Sequence, residues 1–194
     1  IRSAPAPDRH RLFALPGLLT VGPTDAAVTI VEFFDYNCGY CRQASPGLDQ
    51  MLKADRNLRL VFAHNPILSP LSLRAAEAIA AVQAIHGASA AYAVHRSLLE
   101  TAGRASAEGA LAAARAAGFD VARIESAMTT AGVRDAVSAQ RDFARENRLR
   151  FTPTFAVADR AFVGWPGTST MTRFVVAARR CGALQCAAER AGGG

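Results

Sequence analysis

Val28-Thr29-Ile30-Val31-Glu32-Phe33-Phe34-Asp35-Tyr36-Asn37-Cys38-Gly39-Tyr40-Cys41 is an apolar run that ends in two closely spaced cysteines. Residues 28–34 carry a strand pattern, 39–54 read as a helix and 58–63 as a second strand, which makes a strand-helix-strand unit. Both strands are apolar on both faces apart from Thr29, Glu32 and Arg59. That composition suits inner strands of a sheet covered by helices on either side. The cysteine pair therefore falls just after a buried strand, at the first turn of a helix.

Downstream, 70–147 is alanine-rich and expected to be entirely helical, with Gly87, Gly103, Gly118 and Gly132 as helix stops. Ser106 and Asp120 read as helix starts. Strands return at 154–157 and 161–163, joined through Asp159-Arg160, and a helix follows over 169–180. The expected fold class is α/β, one sheet split around an all-helical insert. Residues 1–10 read as a Pro/Ala linker and 191–194 as a frayed end. There is no internal repeat and no glycine-rich phosphate loop.

The 194 residues carry 22 Lys+Arg against 16 Asp+Glu, a net +6, and 51% are hydrophobic, which excludes collagen-like, coiled-coil and disordered-tail classes. Lys53 is the sole lysine, and the arginines are interspersed with acids without interleaved aromatics, so no nucleic-acid partner is expected. The longest uncharged stretch, 78–95, contains Gln83, His86, Ser89 and His95 and is too polar for a membrane span. The opening Ile1-Arg2-Ser3-Ala4-Pro5-Ala6-Pro7 has no initiator Met, which fits a chain whose export signal has been removed.

At a helix N-terminus the free backbone N–H groups stabilise a thiolate, so Cys38 is expected to be an acidic thiol and a good leaving group. Cys41 lies one turn later, deeper against the sheet, and the two can close and reopen a local disulfide. A static disulfide and half of a zinc site are the alternatives. Glu32 shares the strand face of Val28, Ile30 and Phe34. A carboxyl desolvated there has a raised pKa and can exchange a proton with Cys41; an edge-exposed glutamate is the alternative. Proline in Thr152-Pro153-Thr154 lacks a ladder donor. If its bond is cis, the Thr152 backbone is left free to pair with an extended peptide; a plain trans proline is the alternative.

Cys181 and Cys186, with Gly182 allowing a turn, read first as a structural disulfide and second as a redox relay. No metal site is assigned. His86 and His95 would face opposite sides of a continuous helix, a geometry that a break at Gly87 weakens. His64 follows the second strand near the expected active-site rim and receives no catalytic role. Arg141, Arg145 and Arg148, with Asp142 and Glu146 beside them, read as a solvated face.

Residues 31–41, Asn65-Pro66-Ile67-Leu68-Ser69-Pro70-Leu71-Ser72 and Thr152-Pro153-Thr154-Phe155 together resemble the DsbA-like thiol-disulfide oxidoreductases, most closely the subgroup of the suppressor-of-copper-sensitivity protein ScsC. The resemblance covers 15–178. It implies a thioredoxin fold with an inserted helical domain: a linker over 1–14, the thioredoxin domain over 15–68 and 148–190, and the insert over 69–147. It implies a periplasmic enzyme in which Cys38 exchanges with cysteine-containing protein substrates, Cys41 resolves the mixed disulfide and Glu32 carries the proton. Dithiol oxidation is favoured over reduction or isomerisation. Gly39, Tyr40, Phe151, Thr152 and Pro153 would meet the substrate. A membrane partner, a DsbB-like oxidase or a DsbD-like reductase, would reset the pair, and no cofactor is needed beyond the disulfide. A copper-tolerance role, with Cu(I) on the same two thiolates, is the competing reading.

Three residues depart from the family pattern. Gly39-Tyr40 replaces the Pro-His of strongly oxidising members, which removes an imidazole donor to Cys38. Phe151 stands where a glycine is common and adds an aromatic surface. Oligomeric relatives use a long N-terminal helical stalk. The roughly twenty residues expected before the sheet are too few for one, so a monomer is expected.

Overall fold

The computed structural model describes residues 1–186. At its centre β3 (Val28–Phe34), α2 (Gly39–Ala54) and β4 (Leu58–His64) form the expected unit, with β3 and β4 parallel in the register Val28↔Leu58 to Phe34↔His64. Every residue of β3 is buried, which accounts for its near-continuous apolar composition. β5 (Thr154–Val157) runs antiparallel to β3, and β6 (Arg160–Val163) pairs with β5. β2 (Leu19–Val21) lies outside β4 and β1 (Ser3–Pro5) outside β6, giving the order β1-β6-β5-β3-β4-β2.

Alternation along β3 sends Val28, Ile30 and Phe34 into one core with Leu48 of α2. Val31 and Phe33 enter a second core on the opposite face. Between β4 and β5 the chain is helical: α3 (Pro70–Glu100), α4 (Ala107–Ala116), α5 (Val121–Met128) and α6 (Ala131–Glu146). Ile79 of α3 packs into the first core, while Phe143 of α6 stacks on Phe33 in the second at 6.1 Å between ring centroids. The insert thus covers both faces of the sheet. α7 (Thr168–Cys181) closes the first face through Met171 and Phe174. Among the described residues no helix is long and apolar enough to cross a membrane.

Ser106 and Asp120 cap α4 and α5 as expected, through side-chain oxygens that accept from Gly109 N and Arg123 N. Gly87 breaks α3 at φ 82°, ψ 175°. Gly132 is not a stop: it lies in the first turn of α6. α5 instead ends where the Thr129 and Thr130 hydroxyls donate to Ser126 O and Ala127 O at 2.7 Å each. Helix-ending by a hydroxyl leaves no glycine for the sequence to show.

Residues 1–14 are not a linker. Ser3–Pro5 adds an edge strand on β6, held by Arg160, whose Nη2 donates to Ser3 O at 2.8 Å. Proline is tolerated there because a sheet edge spares its missing donor. Asp8 caps α1 (Arg9–Phe13), which buries Leu12 in the second core. The sheet therefore begins at Ser3, and not about twenty residues into the chain. β2 also escaped the sequence pattern, since three residues are too few to show a period of two.

The turn after β2 needs glycine. Gly22 has φ +98°, and a Cβ there would sit 2.4 Å from Leu58 O. We expect Gly22→Ala to destabilise the protein by about 2–3 kcal/mol through both strain and backbone contact. A thermal melt superimposable on that of the parent would contradict this.

Candidate active site

Cys38 is the N-cap residue of α2, in extended conformation, so the open N–H groups of the helix lie beside its sulfur. Cys38 N donates to Asp35 O at 3.0 Å, which bends the chain sharply out of β3. Both cysteines are free thiols, and both are buried. The Cys41 thiol, donating to the Cys38 sulfur, pulls the Cys38 pKa down to about 6 against the upward push of burial. The backbone N–H groups of Cys41 and Tyr40 add to that lowering. Cys41 moves the other way: burial, the bond it gives to Cys38 and the nearby Glu32 carboxylate hold its proton far above the ordinary thiol range.

Glu32 stands beneath the pair, 3% exposed, on the apolar face of β3 opposite Phe62 and Phe155. Burial, and then the charge of Cys38, push its pKa up to about 8, while hydrogen bonding to Cys41 works downward. Its Oε1 has no hydrogen-bond partner. Across the site the Thr152–Pro153 bond is cis, and the Cys38 thiol donates to the Thr152 carbonyl at 3.1 Å. That carbonyl is therefore occupied only while Cys38 keeps its proton. An ionised or disulfide-bonded Cys38 has no proton to give, which leaves that carbonyl without this donor. Tyr40 and Phe151, 64% and 65% exposed, stand on either side, and nothing lies within 4 Å of where a Gly39 Cβ would be.

The thioredoxin family model matches residues 15–176, which contain this whole arrangement. The chain belongs to the thioredoxin family. It is 34% identical to a thioredoxin-like oxidoreductase from Silicibacter pomeroyi DSS-3, covering 90% of this chain and 99% of that one with a TM-score of 0.80. The thiol-disulfide exchange protein alpha-DsbA2 of Wolbachia pipientis is 23% identical over 87% of this chain and 90% of its own, with a TM-score of 0.78. The fold is thus the DsbA-like one, with its helical insert, of thiol-disulfide oxidoreductases. The chain is also 31% identical over 163 residues to the Na(+)/H(+) antiporter NhaA of Herminiimonas arsenicoxydans, which is 82% of this chain and 25% of that protein. It spans a quarter or less of the length of the curated relatives it matches.

In this thioredoxin-family domain the residues that hold the cysteine loop in place were not singled out from sequence. Asp35 is buried, with Oδ1 accepting from Asn37 N at 2.7 Å and Oδ2 from Ile67 N and Leu68 N at 2.9 Å each. Asn37 donates to Ser72 Oγ and Ala105 O at 3.0 Å each and accepts from Ala105 N at 2.8 Å. Arg42 donates from Nε to Tyr36 O at 3.1 Å and also reaches Thr101 O. The insert therefore grips the loop directly. Asp and Asn before a cysteine pair do signal a turn, but no local pattern names partners this far along the chain.

His64 lies inside the protein and not at the rim: it is 1% exposed, its ring nitrogens have no hydrogen-bond partner, and burial pushes its pKa down to about 4. His95 is also interior, its Nδ1 2.9 Å from the Tyr36 hydroxyl. His86 stacks on Phe119 at 4.7 Å. Arg148 falls outside α6, in left-handed conformation at φ 58°, and leaves the Arg141 stripe. Cys181 and Cys186 are joined as a disulfide at the end of α7. Leu184 N beside them donates to Asp159, at the opposite end of β5 from Pro153. Among the described residues no group of three or more His, Cys, Asp or Glu is placed to hold a metal ion.

Proposed function

We propose that this domain is a periplasmic thiol-disulfide oxidoreductase that passes the Cys38–Cys41 disulfide to cysteine-containing protein substrates. One observation carries the reading: two adjacent sulfurs with opposed acidities above a buried carboxyl, Cys38 held near 6 and Cys41 kept protonated beside Glu32. A substrate thiolate attacks Cys38 Sγ, and Cys41 Sγ leaves with its electron pair and takes the proton of Glu32. The substrate's second thiolate then attacks its own sulfur in the mixed disulfide and expels Cys38 as a thiolate. Two electrons pass to the enzyme, and the substrate gains a disulfide.

The acidity of Cys38 sets the favoured direction. A thiol of pKa about 6 is mostly ionised at pH 7, which stabilises the reduced enzyme and makes its disulfide a better oxidant. Resetting the pair requires a membrane partner of the DsbB-like oxidase kind, or a DsbD-like reductase if the flow runs in reverse. Equilibrating the protein in glutathione buffers and alkylating its free thiols measures the balance. A potential more positive than about −200 mV supports donation of disulfides, and a thioredoxin-like value of about −270 mV overturns that direction.

Cu(I) binding by the same two sulfurs is the competing proposal, because soft thiolates suit that ion. The proton held on Cys41 opposes it. Titration of the reduced protein with Cu(I) against a chelator measures that competition.

A further inference from the structure

A groove of about 570 Å³ begins at Phe151, the residue before Thr152, whose carbonyl lies 3.1 Å from the Cys38 sulfur. It runs between the connection after α6 and the edge of the sheet. Its floor offers Phe151 and Val163, two of the few large apolar side chains left exposed, at 65% and 54%. They are neighbours because Val163 pairs with Thr154, whose hydroxyl donates to Phe151 O at 2.6 Å. Its rim carries Arg2, Arg148 and Arg150, all exposed.

Among the described residues none of these three arginines is paired with a carboxylate, unlike Arg11, Arg74, Arg96, Arg145 and Arg179, which each pair with an acid. Asp8 is the one acid in the lining, and its Oδ1 already accepts from Arg11 N as the cap of α1. The left-handed backbone at Arg148 is secured by Leu149 N donating to Ala144 O at 2.8 Å, so the two arginines that follow α6 are held beside the groove. An excess of positive charge, three arginines against Asp8, next to exposed apolar surface is complementary to a segment with the opposite charge and the same apolar character.

We infer that the groove is a specificity subsite for the substrate: it takes the stretch flanking the cysteine bonded to Cys38, and selects stretches that combine an apolar side chain for Phe151 and Val163 with Asp or Glu for Arg148 and Arg150. This rests on the thiol-exchange reading above and names the substrate class for it. The occupant is a peptide carboxylate because the groove begins at Phe151, next in sequence to the Thr152 whose carbonyl meets the Cys38 sulfur, and carries three arginines.

Reduced two-cysteine peptides test it, uncharged except for a pair of Glu or a pair of Lys placed on one side of the first cysteine or the other, each with one Leu. They are mixed with the oxidised protein, and peptide disulfide is followed by mass. On one side, Glu peptides should exceed Lys peptides by about fivefold in kcat/KM, as expected for two exposed ion pairs, and the gap should narrow in high salt. Arg148→Glu with Arg150→Glu should invert the order in favour of Lys peptides, a gain that misfolding does not produce. Arg148→Gln with Arg150→Gln should erase the difference. Equal rates for Glu and Lys peptides, or a preference that survives charge reversal, overturns the subsite. Oxidation of dithiothreitol by the unaltered protein separates the two readings: if it proceeds while the peptides are equal, only the subsite falls, and if it fails, thiol exchange falls with it.

Discussion

Cys38→Ser should lower disulfide transfer by at least about 10³-fold, because the sulfur that meets the substrate is gone and no neighbour replaces it. Cys41→Ala should behave differently. Given a disulfide reagent such as oxidised glutathione, its Cys38 thiolate still displaces one glutathione thiolate, but no Cys41 is there to expel the half it keeps, which stays as a mixed disulfide visible as a mass adduct removed by reductant. The substitution should also make Cys38 less acidic, since the Cys41 thiol is the largest cause of its lowering. Iodoacetamide labelling of Cys38 should show a midpoint at about 6 in the parent and a higher one in Cys41→Ala. An unshifted midpoint would mean that the helix end alone makes the thiolate.

The same acidity has a thermodynamic sign. In the folded reduced protein the Cys38 pKa of about 6 lies below its ordinary value of 9.0, so the stabilisation is complete above 9.0 and is lost as pH falls through about 6. The disulfide form lacks this titration. Denaturant unfolding should therefore show the reduced protein gaining on the oxidised one as pH rises between those values. At pH 7 the gain has a ceiling of about 1.4 kcal/mol, trimmed by solvent screening at the mouth of the site.

Glu32→Gln should make the oxidised protein more stable at neutral pH while slowing its redox cycle. In the reduced protein the Glu32 pKa of about 8 lies above its ordinary 4.5, chiefly through burial, a cause the disulfide form keeps, so the folded state holds a proton that the unfolded chain releases. Stability contributed by that proton is intact below 4.5 and drains away as pH rises to about 8. At pH 7 the cost has a ceiling of about 3 kcal/mol, which the amide removes. Urea midpoints of the parent should fall between pH 5 and pH 8, and those of Glu32→Gln should stay nearly level. Parallel curves would show that Glu32 is solvated. The kinetic half follows from the step in which Cys41 gives up or takes a proton, because glutamine can do neither for it. A cycle rate equal to the parent's would remove Glu32 from the mechanism even if the stability change were found.

Local chemistry made the centre of this molecule readable. β3 and α2 lie at the residues their patterns indicate, and a cysteine pair between an all-apolar strand and an amphipathic helix has few other places to be. Glu32 was legible because a charge amid Val28, Ile30 and Phe34 breaks a strict alternation. What stayed hidden depends on contacts between distant parts of the chain. Ser3–Pro5 becomes a strand only because β6 supplies its hydrogen bonds, and Asn37 is a clamp only because Ala105 comes to meet it. His64 looked like a rim residue from its place at a strand end, but the rings of Phe34 and Tyr36 lie against it and it is buried.

The Thr152 carbonyl that meets Cys38 stands 114 residues further along the chain, and Ala105, which pins the cysteine loop, stands 68 beyond Asn37. On the ribosome both sulfurs emerge long before either contact exists. Over that interval they are ordinary peptide thiols, open to the oxidants and partners any nascent segment meets. The distinctive reactivity of the pair is therefore delivered late, only after the 114 residues that follow Cys38 have been made.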